Sequence, residues 1–365
     1  MDNNKRRFGR LQRWLWLGPL VLAASLLVLA AAGFTYEKIA EALDRERFPP
    51  PGVLVDVGGF RLHLNCTGQG SPTVVLDTGL GVPSPSWAPV QTSVARMTRV
   101  CSYDRAGYGW SDPGPQPRTS EAIATELHGL LEKAGERGPF ILVGHSFGGF
   151  NVRVFARDYR PLVAGLILVD SSHEDQEARM PLAMRAEQRN LPRLLSIARV
   201  AARLGLLRLF AEPLGLERQW APLQDTAPQV IGQLRVLAVT PKLFDAAADE
   251  FAHFSGASAA AVRASRDFGD LPLTVLTAGK AASSGGAAVS PQDEEDFHHV
   301  WVSELQTDLA GLSTRGRRIL VEDSDHMIPI LRPEAVIAAA EEMVRQSRDG
   351  LEHAVEDRNP PEGAR

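Results

Sequence analysis

Residues 139–149, read P-F-I-L-V-G-H-S-F-G-G, constrain this chain more than any other stretch. Residues 140–143 form a short apolar run of β-forming residues, the length of one buried strand. Gly144-His145-Ser146-Phe147-Gly148 then fits G-x-S-x-G, and residues 150–158 follow with helical composition and no proline. Strand, sharp turn and helix are the setting in which this pattern carries chemistry. The turn strains the serine backbone and projects its Oγ above the sheet edge. The glycines two positions either side let neighbouring backbone come close. The next backbone N–H, from Phe147, points at the same spot. The plainer reading is a Gly-rich turn with an idle serine, and partners elsewhere in the chain decide between the two.

The flanking sequence repeats the strand signal. Residues 53–57 and 60–66 read as a hairpin around Gly58-Gly59. Residues 73–77 (T-V-V-L-D), 99–103, 164–169, 273–277 and 318–321 are short apolar strands. Residues 121–134 read as a helix, with Ile123, Leu127, Leu130 and Leu131 on one stripe and Thr119 or Ser120 as N-cap. Residues 298–312 and 333–346 read as two more helices. Apolar strands alternating with helices predict an α/β fold, a mostly parallel sheet covered on both faces.

The alternation stops over residues 172–270, where no strand is convincing. Prolines at 181, 192, 213, 222 and 228 cut that region into short helices. It reads as a helical insertion over one end of the sheet. Its many leucines are explained first by core-facing helix. A lid lining an apolar pocket, in touch with a membrane, is the further reading.

Residues 1–34 stand apart. Lys5, Arg6, Arg7, Arg10 and Arg13 form a basic head, and residues 14–34 carry no charge. That run is long enough to cross a bilayer, with Trp14 and Trp16 at one end and Tyr36 past the other. The positive flank stays cytoplasmic, which predicts a membrane-anchored protein with an extracytoplasmic domain. The alternative is a signal peptide cleaved near Ala30-Ala31-Ala32-Gly33, and secretion. A short helix over 36–47 and the prolines at 49–51 read as a linker covering 35–52. The core is expected over 53–171 and 271–348, with 278–290 flexible and 349–365 a disordered tail.

Net charge is −5 and the pI is about 6.0, so no basic face for nucleic acid is expected. There is no G-x-G-x-x-G, no P-loop and no Cys/His cluster of zinc spacing, so neither cofactor nor metal is expected.

Ser Oγ needs a base, and His is the usual one near neutral pH. Of 9 histidines, His326 follows the last strand, in Ser324-Asp325-His326. Carboxyl ends of parallel strands share one sheet edge, so His326 falls on the Ser146 edge. His145 faces the wrong way across the turn. An acid must fix the imidazole. Asp170, ending the strand 164–169, is the preferred candidate, and Asp293, in the patch Asp293-Glu294-Glu295-Asp296, is the alternative. Either is otherwise explained as a helix cap or a helix N-terminus that suits negative charge. Phe147 and Leu80, the latter in Thr78-Gly79-Leu80-Gly81, are the expected N–H donors to an oxyanion.

This layout resembles the α/β-hydrolase superfamily over residues 53–346. The resemblance rests on Gly144-His145-Ser146-Phe147-Gly148, Thr78-Gly79-Leu80, Ser324-Asp325-His326, and the loop Tyr103-Asp104-Arg105-Ala106-Gly107-Tyr108-Gly109-Trp110-Ser111. It implies an eight-stranded sheet flanked by helices and a helical cap over 172–270. It differs in two places: Thr78-Gly79 stands where the family often has His-Gly, and Asp170 follows the sixth strand where the acid more often follows the seventh. The serine nucleophile argues against dehalogenases and epoxide hydrolases. The resemblance also makes Cys66 and Cys101 strand neighbours, either disulfide-bonded or two buried thiols. The expected function is a serine hydrolase (an esterase) cleaving a small-molecule carboxylic ester through an acyl-enzyme. An aminopeptidase, thioesterase or C–C bond hydrolase of the same fold, or a non-catalytic hydrolase-like binding protein, are the alternatives.

Overall fold

The computed structural model describes residues 2–281 and 289–356, with side chains from residue 17 to 350. The basic head, Trp14, Trp16 and residues 357–365 of the expected tail therefore lie outside the described side chains, as does most of the stretch 278–290.

The core is one 8-stranded sheet in the order β1-β2-β4-β3-β5-β6-β7-β8. The strands are β1 (Val53–Asp56), β2 (Arg61–Thr67), β3 (Thr73–Asp77), β4 (Val100–Asp104), β5 (Phe140–His145), β6 (Val163–Val169), β7 (Leu273–Ala278) and β8 (Gly316–Val321). The sheet is mixed: β1, β2 and β4 pair antiparallel, whereas β4, β3, β5, β6, β7 and β8 run parallel. Val74, Leu76, Ile141, Val143, Ile167 and Val169 face one apolar layer, and Val75, Leu142, Leu166 and Leu168 face the other. That is the two-sided burial that near-continuous apolar strands require.

The helix Gly148–Asp158 is amphipathic and buries Val152, Val154 and Phe155. The helix Ser120–Lys133 starts where Thr119 accepts a hydrogen bond from the Ala122 N–H. Between β3 and β4 lies a helix, Ala88–Val94, that strand and helix signals in the sequence did not reveal. It is short, begins with a proline at its second residue and is held by burial of Val90 and Val94 rather than by propensity.

From 170 to 272 the chain forms only helices and turns, including Leu182–Gln188, Leu191–Arg203, Leu206–Phe210 and Pro241–His253.

Two helices differ from the sequence expectation. The apolar N-terminal run and residues 36–47 form a single helix, Asp2–Arg47, rather than a span and a separate helix in a linker. Nothing between Phe34 and Tyr36 breaks a helix, and the prolines after Phe48 end it. Nor is 35–52 a free linker. Glu37 and Asp44 pair with Arg208, and Trp110 donates from Nε1 to the Phe48 carbonyl at 2.9 Å. Its section Leu17–Arg47 is the one helix among the described residues long and apolar enough to cross a membrane, with mean hydropathy 2.2 over its apolar window. The other difference is the helix expected over 298–312. It starts earlier, at Pro291, and passes through a π turn, Trp301–Leu305. The Ser290–Asp293 capping box sets that earlier start.

Cys66 and Cys101 sit opposite each other in the β2–β4 ladder and form a disulfide, with Cα atoms 4.0 Å apart. It closes a loop of sequence separation 35. Loops of that size imply a contribution of about 2–4 kcal/mol. Cys66→Ser is therefore expected to lower unfolding free energy by that amount in a denaturant titration run without reductant.

Candidate active site

The register between β5 and β6 sets the site. His145 pairs with Val169, so Ser146 and Asp170 leave adjacent strands at one level. The backbone then turns sharply at both. Ser146 (φ 53) and Asp170 (φ 40) are the only non-glycine residues with positive φ among the described residues. Each such residue costs on the order of 1–3 kcal/mol, and such strain clusters at functional sites. Here hydrogen bonds hold both turns. The Ser146 N–H donates to the Val169 carbonyl at 3.1 Å, and the Asp170 N–H to the Leu276 carbonyl at 2.7 Å. The turn closes only because its flanks lack side chains. A Cβ on Gly148 would lie 2.6 Å from the Asp77 carbonyl oxygen, and one on Gly144 would lie 2.6 Å from that of Gly148.

His326 arrives from the loop after β8. Its turn is pinned by Asp325, whose Oδ1 accepts from the Met327 N–H at 2.9 Å. His326 Nδ1 is 2.7 Å from Asp170 Oδ2. The other carboxylate oxygen of Asp170 accepts from the Ala278 N–H at 3.0 Å and from Trp301 Nε1 at 2.8 Å. Trp301 opens the π turn, and sequence reasoning did not find it; only the fold carries it to the carboxylate. Ser146, Asp170 and His326 line one cavity of about 200 Å³, walled by Met180, Met184 and Phe297.

The electrostatics follow from these contacts. Burial works against the Asp170 carboxylate. The hydrogen bond and charge of His326, with the Trp301 and Ala278 donors, outweigh it and hold Asp170 below the usual carboxylate range. Burial likewise works against the imidazolium of His326, but the Asp170 hydrogen bond and charge raise its pKa above 6.5. His145 behaves oppositely. Burial and the neighbouring His326 lower it to about 3, so it is neutral, and its Nε2 lies 2.8 Å from the His326 carbonyl oxygen. It backs the His326 loop.

Asp293 is a correction to the alternative acid. Its Oδ2 accepts from Ser290 Oγ at 2.6 Å and from the Ser290 N–H at 3.2 Å. The carboxylate is used on the exposed first turn of a helix, where unpaired N–H groups attract it, and His326 pairs with Asp170 instead.

The turn Thr78–Gly81 abuts the serine: a Cβ on Gly79 would lie 3.2 Å from Ser146 Cβ. Neither the Phe147 nor the Leu80 N–H donates to a protein acceptor among the described residues. A buried ionic network, which sequence reasoning did not find, fixes the turn. Arg105 donates to the Thr78 carbonyl at 2.8 Å and the Gly79 carbonyl at 3.0 Å. It also pairs with Asp77 at 2.6 Å and with Glu250, from the Pro241–His253 helix, at 2.9 Å. The Tyr108 hydroxyl donates to Glu250 at 2.6 Å and accepts from the Gly81 N–H at 2.9 Å. The signal in sequence was the Asp-Arg-x-Gly-x-Gly-x-Ser loop, whose partners could not be named. Arg105→Met leaves two buried carboxylates without their cation, and the expected loss is about 3–5 kcal/mol of stability, measured by denaturant unfolding.

This sheet order, with a strained serine after β5 and a histidine after β8, defines the α/β-hydrolase class. Residues 74–340 match the alpha/beta hydrolase family, and the chain belongs to it. A thermophilic esterase from Thermogutta terrifontis superposes with TM-score 0.53 at 25% identity, over 81% of this chain and 98% of that one. An enol-lactonase from Burkholderia xenovorans LB400 superposes with TM-score 0.55 at 20% identity, over 80% of this chain and 100% of that one, a likeness of fold. YbdG of Bacillus subtilis (strain 168) is 26% identical over 151 residues, 41% of this chain and 46% of YbdG. The chain thus spans less than half the length of this and other curated relatives. The family match places the chain in the alpha/beta hydrolase family, and these structural neighbours share its fold.

Proposed function

We propose that the chain is a serine hydrolase that cleaves a carboxylic ester through an acyl-enzyme on Ser146. The supporting observation is the 2.7 Å pair between His326 Nδ1 and Asp170, in the cavity that Ser146 also lines. With Nδ1 committed to Asp170, Nε2 is the ring atom left to take the Ser146 proton. Oγ attacks the carbonyl carbon, and the carbonyl electron pair moves to oxygen, toward the Phe147 and Leu80 N–H groups. The tetrahedral intermediate collapses, the C–O bond to the alcohol breaks, and His326 returns the proton to the leaving alkoxide. Water repeats the cycle: His326 takes its proton, the hydroxide attacks the acyl carbon, and Ser146 leaves with the proton. Buried Asp170, kept ionised by its donors, stabilises the imidazolium in both halves. Every step uses side chains and backbone of this chain.

The helices between β6 and β7 act as a cap, because Met180 and Met184 close one side of the cavity over Ser146. The N-terminal helix serves as a membrane anchor with the catalytic domain extracytoplasmic. The charge-free run beyond the basic head and the Cys66–Cys101 disulfide both suit that placement.

The test is a fluorophosphonate probe followed by a panel of p-nitrophenyl esters, thioesters and amino-acid anilides. Covalent labelling with ester turnover is expected. A folded protein that neither labels nor turns over any of them contradicts the proposal, and preference for thioesters or anilides reassigns the acyl group.

A further inference from the structure

One side of the cap exposes more apolar surface than folding needs. The helix Leu191–Arg203 carries two apolar stripes. Leu191 and Leu195 face inward, while Leu194, Ile197 and Val200 are 56–58% exposed. The next helix, Leu206–Phe210, adds Leu209 at 55% and Phe210 at 51%. Isolated exposed leucines are ordinary, but a contiguous patch marks a surface that something covers.

The N-terminal helix identifies what covers it. That helix packs against the corner between these two cap helices. A Cβ on Gly33 would lie 2.6 Å from the Leu204 carbonyl oxygen, and one on Gly205 would lie 2.6 Å from the Tyr36 ring. Arg208 pairs with Glu37 at 2.9 Å, and Glu37 is buried. The corner thus stands beside the end of the charge-free run. Below it, Leu17 to Gly33 project about 24 Å at the rise of an α-helix, with no protein burying their apolar window. A bilayer that accepts this run has its surface near Gly33, and the corner Leu204–Gly205 that joins the two exposed helices packs against the N-terminal helix at Gly33 and Tyr36. Residues 189–211 contain five arginines and no acid; Arg199 and Arg203 pair with Asp245 and Arg208 with Glu37 and Asp44, which leaves Arg189 and Arg193 outside the ion pairs among the described residues. Exposed leucines beside two such arginines suit a membrane surface that carries some anionic lipid.

The inner stripe of the same helix leads toward the site. Leu191 and Leu195, with Leu216, Trp220 and Phe244, line an apolar pocket of about 320 Å³ that ends at Leu80 and Gly81. Those two belong to the turn lying against Ser146.

We propose that the exposed stripe of Leu191–Arg203 and Leu206–Phe210 rests in the bilayer surface, and that the inner pocket takes the acyl chain of a membrane-resident ester for cleavage at Ser146. This rests on the serine-hydrolase and anchor readings above. The substrate class is then an acyl lipid reached from the membrane plane rather than a water-soluble ester.

The test uses the full chain in phosphatidylcholine–phosphatidylglycerol vesicles. Its two native cysteines are disulfide-bonded, so Ile197→Cys, Leu209→Cys and, away from the patch, Glu132→Cys each accept one environment-sensitive fluorophore. Quenching by lipid-borne spin labels is expected at 197 and 209 and not at 132. In parallel, the double variant Ile197→Ser/Leu209→Ser is expected to lose about tenfold in turnover of a vesicle-embedded long-chain umbelliferyl ester, as removing two half-exposed apolar side chains from a membrane contact predicts. Its turnover of soluble p-nitrophenyl acetate should match wild type. Water-exposed fluorophores at 197 and 209 overturn the proposal. So do fluorophores that respond to protein density instead of lipid, which indicates a second copy on this face, and so does equal turnover of the embedded ester by wild type and double variant. A wild type inactive on both esters overturns the hydrolase reading instead, and the quenching data still report on the membrane contact.

Discussion

Ser146→Ala is expected to abolish fluorophosphonate labelling and to lower kcat/KM on the best ester by about 10⁵-fold or more, the scale at which serine hydrolases lose turnover with their nucleophile. No other group can substitute. His145 is buried and neutral at working pH, its ring set against the His326 carbonyl rather than toward the cavity. Ser172, which also lines the cavity, follows a different strand and lacks the left-handed backbone that lifts Ser146 out of the sheet. Thermal stability should stay level or rise, because the substitution leaves the turn's backbone hydrogen bonds in place. Retained labelling in a folded Ser146→Ala protein would remove the nucleophile from the proposed chemistry.

Asp170→Asn is the second large effect, about 10⁴-fold in kcat, with a shifted pH profile. The sign follows from the site. His326 must be neutral to act as base, so activity rises with pH through its ionisation. Asp170 raises that pKa, so the acid limb of kcat/KM in the wild type lies higher than for a free imidazole. Asparagine removes the negative charge and can present an N–H to Nδ1, and burial then lowers the imidazole pKa. The limb should move to lower pH while the plateau falls. Asp293→Asn should move neither, since that carboxylate serves the helix start at Ser290. An unchanged limb in Asp170→Asn, with plateau intact, would detach the acid from the mechanism.

How much of this was readable beforehand depends on the range of the interaction concerned. The parallel strands were legible because each is a run of apolar residues buried on both faces, and composition alone records such burial. The strands expected at 73–77 and 164–169 appear at Thr73–Asp77 and Val163–Val169. The break between 34 and 36 was misread because residues 36–47 turn polar. That change is one of side-chain polarity, while the helix itself continues to Arg47. Trp301 and Glu250 carried no local signal. A tryptophan in a polar helix and a glutamate in a cap helix look like any others until folding sets one against Asp170 and the other against Arg105.

By itself the sequence determined the strand–turn–helix around position 146, the sheet built on it, and a histidine delivered to the same rim, because local backbone preferences and apolar periodicity act over a few residues. Only the tertiary structure decided which acid meets that histidine. The sequence preferred Asp170 but left Asp293 open as the alternative, and what separates them is strand register. His145 opposite Val169 puts Asp170 beside Ser146, while Asp293 is taken up by the unpaired N–H groups of its own helix.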